Sequence, residues 1–194
     1  MTLLYRLIIA LVALAAAWAL DGVVFRDGFI DKAQRDDWQR LLRVTGYLPT
    51  WIAVAAAFAL HDRALRRAVP LLVGATGAGL AAEVLKLLVR RERPGPLGEV
   101  VFRPFSEDLF NSAPLGMPSS HAAVAFGAAF ILCRLHPRIA PVVLLMALGC
   151  GMSRILERSH FLSDVIGAAI VAEVVVLAVA AAFVKPRRRG SRLA

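Results

Sequence analysis

Three groups of polar residues interrupt an otherwise apolar chain, and their types suit the handling of a phosphate. The first is Lys86 and Arg93 with Pro94; the second is Ser119, Ser120 and His121 behind Pro118; the third is Ser153, Arg154, His160 and Asp164. Lys86 and Arg93 are seven residues apart, about two helical turns, so they share a face if the helix persists. With Arg154 they make a trio of cations that would repel one another unless an anion sat among them. Arginine supplies a planar fork matched to phosphate oxygens, and lysine a compact point charge. Pro118-Ser119-Ser120-His121 reads as a helix start with a serine cap, whose free N–H groups form a natural oxyanion site. His160 and Asp164 are four apart, so the carboxylate can face the imidazole across one turn. Holding one ring nitrogen makes the other more nucleophilic. His121 is left to protonate a leaving oxygen.

Each piece also has an ordinary reading. Single Lys and Arg residues at span ends snorkel to the interface, Ser-Ser-His can be a plain helix cap, and His–Asp can be a structural pair. His121, His160 and Asp164 are potential metal ligands, but three nearby cations disfavour a divalent ion, so neither metal nor cofactor is expected.

The elements that must position these residues follow from composition. The chain has 194 residues, 59% hydrophobic and 19% charged, with a formal charge of +9. Too few residues are charged for an ordinary soluble domain, and the hydrophobicity counts against disorder. The basic excess is scattered between apolar runs without a basic stripe, so a membrane partner is expected and nucleic acid is not. Against the roughly 20 residues of a bilayer-spanning helix, the runs 3–20, 41–60, 69–89, 118–135, 139–156 and 163–184 predict six transmembrane helices. Backbone groups in lipid must be satisfied internally, which predicts a single-domain, all-α integral membrane bundle. Six alternating spans bring the end of the third, the start of the fourth and the junction of the last two to one membrane face. The three polar groups therefore converge whichever way the chain is inserted.

The first run resembles a secretory signal, with Arg6, an apolar core and Ala17-Trp18-Ala19; it is expected to be retained as a span. The tail cations Lys185, Arg187, Arg188, Arg189 and Arg192, with Arg63, Arg66, Arg67, Arg134 and Arg138 in short loops, favour cytoplasmic termini. Ile30, Ala33, Trp38, Leu41 and Leu42 recur at helical spacing, as either an interfacial helix or a solvated loop helix. In the loop after Pro94, Phe102, Phe105 and Phe110 either cover a site or touch lipid. Cys133 and Cys150 are expected as small core residues. Glu83 lies one turn before Lys86, within reach of it, and Glu173 falls mid-span, where an unpaired carboxylate is expensive.

Taken together, Lys86 through Arg93-Pro94 matches the K-x6-R-P motif, and the chain resembles the type 2 phosphatidic acid phosphatase family. Pro118-Ser119-Ser120-His121 is similar to its P-S-G-H motif, and Ser153-Arg154 to Asp164 matches S-R-x5-H-x3-D. One departure is visible, Ser120 where the family usually has Gly; serine keeps the backbone N–H that this position offers to phosphate. The resemblance implies a helical core shared with vanadium haloperoxidases, His160 as nucleophile, Asp164 orienting it, and His121 as general acid. It also implies Lys86, Arg93, Ser119 and Arg154 as phosphate holders and a membrane lipid phosphate as substrate. A lipid-binding or transport protein would need the phosphate holders but not a His–Asp pair plus a second His. Vanadate-dependent oxidation is known from soluble relatives, which six spans disfavour.

Overall fold

The computed structural model describes residues 3–27, 36–62 and 65–183 of the chain. The tail cations Lys185, Arg187, Arg188, Arg189 and Arg192 lie outside the described residues, as do Arg63, Ile30 and Ala33. Runs of Ala, Leu and Val set the long helices α1 (Leu3–Asp27), α4 (Ala68–Val89), α6 (Ala140–Leu156) and α7 (Leu162–Phe183). Between them come α2 (Asp37–Val44), α3 (Leu48–Asp62) and α5 (Ser120–Leu135), the last followed by a 3₁₀ turn at Pro137–Ile139. Pro70 and Pro141 sit in first turns, where the missing N–H has no intrahelical partner to lose.

Among the described residues, four helical stretches are long and apolar enough to cross a membrane: Leu4–Arg26, Ala68–Val89, Pro137–Leu156 and Leu162–Phe183. Leu80, Val84, Leu88, Leu145 and Val174 stand exposed along them. Apolar surface of this extent belongs in lipid, and the protein is an all-α integral membrane protein.

Two of the six expected spans take another form. The run 41–60 is broken: α2 and α3 meet at 66° instead of forming one helix. The turn between them takes up carbonyls with side chains. Thr45 Oγ donates to Leu42 O at 2.8 Å, Thr50 Oγ to Val44 O at 2.8 Å, and Trp51 Nε1 to Thr45 O at 2.7 Å. Gly46 is required here, because a Cβ would meet Cys150 Sγ at 2.8 Å and His121 Cβ at 3.0 Å. The fourth run gives α5, with 16 residues, about 24 Å long against a bilayer core near 30 Å. By length and hydropathy alone the described residues hold four spans, or five with the bent pair counted as one.

The shortness of α5 follows from its place. It packs against α4, α6 and α7, and Ala122 through Ala129 are all buried. A helix lined by protein need not match the lipid thickness. Close approach comes from small residues, with Gly127 of α5 set against Gly74 and Ala78 of α4, and Ala75, Ala82, Ala122, Ala125 and Ala128 in the same core. α1 lies against α7, α3 against α4, and α2 against α6.

The remaining sequence expectations resolve locally. Gln39 Oε1 accepts from the Asp36 N–H at 3.1 Å and starts α2, which leaves Trp38 and Leu41 exposed and Gln39 buried. Glu173 is paired in mid-span with Arg134 at 2.8 Å, and Arg6 approaches it at 3.8 Å. Cys150 is buried, Cys133 half-buried, and both are free thiols.

Candidate active site

Lys86 stands in the last turn of α4, buried, with Nζ donating to Glu83 Oε1 at 2.7 Å and Ser120 Oγ at 2.9 Å. Glu83 also accepts from Ser112 Oγ at 2.6 Å, which ties the following loop to the same turn. The expected shared helical face of Lys86 and Arg93 is corrected here. α4 stops at Val89 because Arg90 turns left-handed, with φ 57°, and donates its N–H back to Lys86 O at 2.8 Å. Arg93 therefore reaches the site from a loop, at its exposed mouth.

That loop is folded, not extended. Arg90 Nε donates to Arg103 O at 3.0 Å and Nη2 to Pro104 O at 2.8 Å and to Glu107 O, and the guanidinium lies over the Phe105 ring. Backbone bonds Glu92 N to Val101 O and Gly116 N to Arg91 O close it at 2.9 and 2.7 Å. Phe102 stacks on Trp18 of α1, while Phe110 stays 86% exposed. The three aromatics thus have three different roles.

α5 begins at Ser120 with Ser119 as its N-cap residue. The expected side-chain cap is absent: Ser119 Oγ makes no capping bond and is buried without a partner, so its donor is free for an anion. The Ser119 N–H is used, donating to Asp164 O at 3.0 Å. Ser120 Oγ holds Lys86, a contact by its side chain beyond the backbone N–H expected of it. His121 is half-buried, its ring edge-on to Tyr47 at 5.0 Å. Arg154, Arg43, His160 and Lys86 all lie within electrostatic reach of it.

The last group spans the α6–α7 junction. Arg154 ends α6, buried, with Nη1 on Glu157 Oε2 at 2.7 Å and Nε without a partner. Glu157, Arg158 and Ser159 close the helix by backbone bonds to Ser153, Ile155 and Arg154, with Arg158 left-handed at φ 49°. Asp164 is then the third residue of α7, and its Oδ2 reaches back to the Phe161 N–H at 2.9 Å. A carboxylate here satisfies an orphan donor and complements the helix dipole. The same Oδ2 stands 3.4 Å from His160 Nδ1, leaving Nε2 as the nitrogen available to a substrate. Burial pushes the His160 imidazole below its ordinary value, and Asp164 opposes that shift. Arg154 and Arg93 lower it further by their charge. His160 is thus a neutral base at neutral pH.

All eight residues expected from the sequence meet at one end of α4, α5, α6 and α7. The donors that converge are cationic or hydroxylic, the set that suits a phosphate. Residues that sequence reasoning passed over lie behind them. Arg91 and Asp21 are buried beside Asp164, and Ser163 joins the two. Nothing in the sequence separates Arg91 from its neighbours Arg90 and Arg93. Asp21 did carry a signal, as an ionisable residue at the end of an apolar run.

Two bacterial proteins are similar to the chain. The decaprenylphosphoryl-5-phosphoribose phosphatase of Mycolicibacterium smegmatis is 34% identical over 117 residues, covering 60% of this chain and 61% of that protein. The lipid A 1-phosphatase of Rhizobium johnstonii is 38% identical over 94 residues, 46% of this chain and 36% of that one. The chain thus spans under two thirds of either relative's length. A transmembrane PAP2-type phosphatidylglycerolphosphate phosphatase from Bacillus subtilis has the same fold, with a TM-score of 0.67 at 18% identity, over 95% of this chain and 98% of that one. The model of the PAP2 superfamily matches residues 67–188, more than half of the chain and all three polar groups, and the chain belongs to that superfamily.

Proposed function

We propose that the protein is a membrane lipid phosphatase that removes phosphate from a phosphomonoester or pyrophosphate lipid by double displacement. The observation that carries this reading is the meeting of His160, held at Nδ1 by Asp164, with the cations Lys86 and Arg154 and the unpartnered hydroxyl of Ser119. Lys86, Arg93 and Arg154 stabilise charge on the equatorial oxygens, with Ser119 Oγ and the Ser120 N–H at the start of α5 as further donors. His160 Nε2 attacks phosphorus in line, the bond to the leaving oxygen breaks, and His121 gives that oxygen a proton. Water then attacks the phosphohistidine, with His121 now taking the proton. The cations supply the charge stabilisation, so the reaction as proposed needs no metal.

The bent α2–α3 pair and the short α5 each complete a crossing in this reading, for six spans in one domain. Both termini are then cytoplasmic and the site faces outward from a bacterial inner membrane. A lipid keeps its tails in the bilayer while its headgroup enters the cationic mouth at Arg93. The similar proteins act on decaprenylphosphoryl-5-phosphoribose and lipid A, which supports a large lipid phosphate as the class. The test is phosphate release by the purified protein from isoprenoid pyrophosphate, phosphatidylglycerol phosphate, phosphatidic acid and lipid A, with His160→Ala as blank. Release from at least one lipid above that blank is expected; binding without release from any would favour a transport protein.

A further inference from the structure

We infer that Asp21 and Arg91 are positioning residues that act on His160 through Asp164, which makes α1 part of the active-site scaffold. Arg91 is fully buried, its guanidinium sandwiched between the rings of Trp18 at 4.3 Å and Phe161 at 4.1 Å. Its Nη1 donates to Ser163 Oγ at 2.6 Å and faces Asp164 Oδ1 at 3.4 Å, while Nη2 donates to Asp21 Oδ2 at 2.8 Å. Asp21 also accepts from the Ser163 N–H at 2.8 Å and from Ser163 Oγ at 2.6 Å. The two oxygens of Asp164 are thus divided, Oδ1 to Arg91 and Oδ2 to the His160 ring and the Phe161 N–H.

The charges explain why both residues are needed. A carboxylate orients an imidazole and stabilises the positive charge that develops on it only while ionised, and burial opposes ionisation. Asp164 Oδ2 is held by the Phe161 N–H and the His160 ring and its Oδ1 by Arg91, but Arg91 alone would cancel the charge of Asp164. Asp21 balances Arg91, so the trio of Asp21, Arg91 and Asp164 carries one net negative charge against His160. The other charged groups facing this centre are Lys86 of α4, Arg93 of the loop and Arg154 of α6, all cationic, and the titratable His121 of α5 lies within electrostatic reach of His160. They belong to the phosphate side. The trio is the negative side of the same site.

This inference rests on the reading of His160 as nucleophile, and its test separates the two. The His160 ring is followed by NMR titration in the purified protein, alongside kcat and KM for the best lipid phosphate. Asp21→Asn leaves the trio neutral, so His160 should titrate at lower pH than in the wild type. Arg91→Gln leaves two negative charges and should move it to higher pH. The double variant restores one charge and should return the titration towards the wild type. For Asp21→Asn, kcat should fall on the order of 10–100-fold, by analogy with groups that orient metal-ligating histidines from behind, with KM nearly unchanged. A purely structural role predicts fewer folded molecules with unaltered titration and kcat per folded molecule, and that result overturns the inference. Should Asp21→Asn not fold, Arg91→Gln still carries the upward shift and the double variant its reversal, and their absence overturns the inference equally. Turnover that survives His160→Ala overturns the nucleophile reading instead, whatever the titrations show.

Discussion

The backbone N–H of Ser119 donates to the backbone oxygen of Asp164 at 3.0 Å, joining the start of α5 to the start of α7. The hydroxyl–histidine segment and the histidine–aspartate segment are therefore held together by main chain, independently of the side chains that react. The backbone at positions 121 and 160 should therefore keep its mutual placement when either histidine is substituted.

The first prediction follows directly. His160→Ala should lower kcat by at least about 10⁴-fold, as for loss of a nucleophile elsewhere, while the helical circular dichroism stays that of the wild type. Rapid acid quench with labelled substrate should trap a phosphohistidine in the wild type and none in the variant.

Burial sets the charge state of His160. Its folded-state value lies below the ordinary 6.5, so the unfolded chain takes up the proton first as pH falls. Stability contributed by the neutral ring is complete above 6.5 and declines as pH drops from there towards the folded value. An NMR titration of His160, assigned with His160→Gln, should show its midpoint below 6.5; a midpoint above that would contradict the burial argument.

Arg154 combines a proposed phosphate contact with a buried pair to Glu157 at 2.7 Å. Arg154→Ala should cost about 10²–10³ in kcat/KM, as for loss of an oxyanion donor. It should also lower stability by about 3–5 kcal/mol, because a buried ion pair is broken. Adding Glu157→Gln should recover part of the Tm and none of the activity. Thermal melts and initial rates on the two variants separate the effects.

Gly46→Ala places a Cβ 2.8 Å from Cys150 Sγ and 3.0 Å from His121 Cβ. Overpacking of this kind costs about 1–3 kcal/mol, and here it also displaces the proposed general acid. Both Tm and kcat should fall. Unchanged kcat at a lowered Tm would show that His121 tolerates the shift.

Orthovanadate should inhibit competitively with the lipid phosphate, since it can adopt the five-coordinate geometry that the cations are placed to bind. Turnover should persist after EDTA treatment and dialysis. Loss of activity restored by a divalent ion would replace the metal-free mechanism.

The site was more legible in the sequence than the path of the chain to it. Lys86, His121, Arg154, His160 and Asp164 announce themselves because an ionisable side chain in an apolar run needs a reason. The end of α4 does so only as far as Pro94, which disfavours helix at Arg93; Arg90, Arg91 and Glu92 would continue a helix on intrinsic preference. What stops it is tertiary: the carbonyls of Arg103, Pro104 and Glu107 hold the Arg90 side chain. The same cause hides the opposite fates of Arg91 and Arg93, one buried on carboxylates and the other at the mouth. The bend between α2 and α3 did have local signals in Gly46 and Pro49, outweighed by the hydrophobicity around them. The brevity of α5 had none, because it depends on neighbours that shield it from lipid.

α1 touches the rest of the bundle along a stripe of Ala17, Asp21 and Phe25, one turn apart. Its apolar side chains could pack against α7 nearly as well after sliding by one turn, about 5.4 Å. Asp21 could not, since that slide would strand a carboxylate in a dry interior and leave Arg91 and Ser163 without it. Asp21, together with Trp18 over Arg91 and stacked on Phe102, therefore sets the register of the first helix, as a polar residue does in a coiled coil. Much of α1 is thereby left free to vary in sequence so long as it remains greasy.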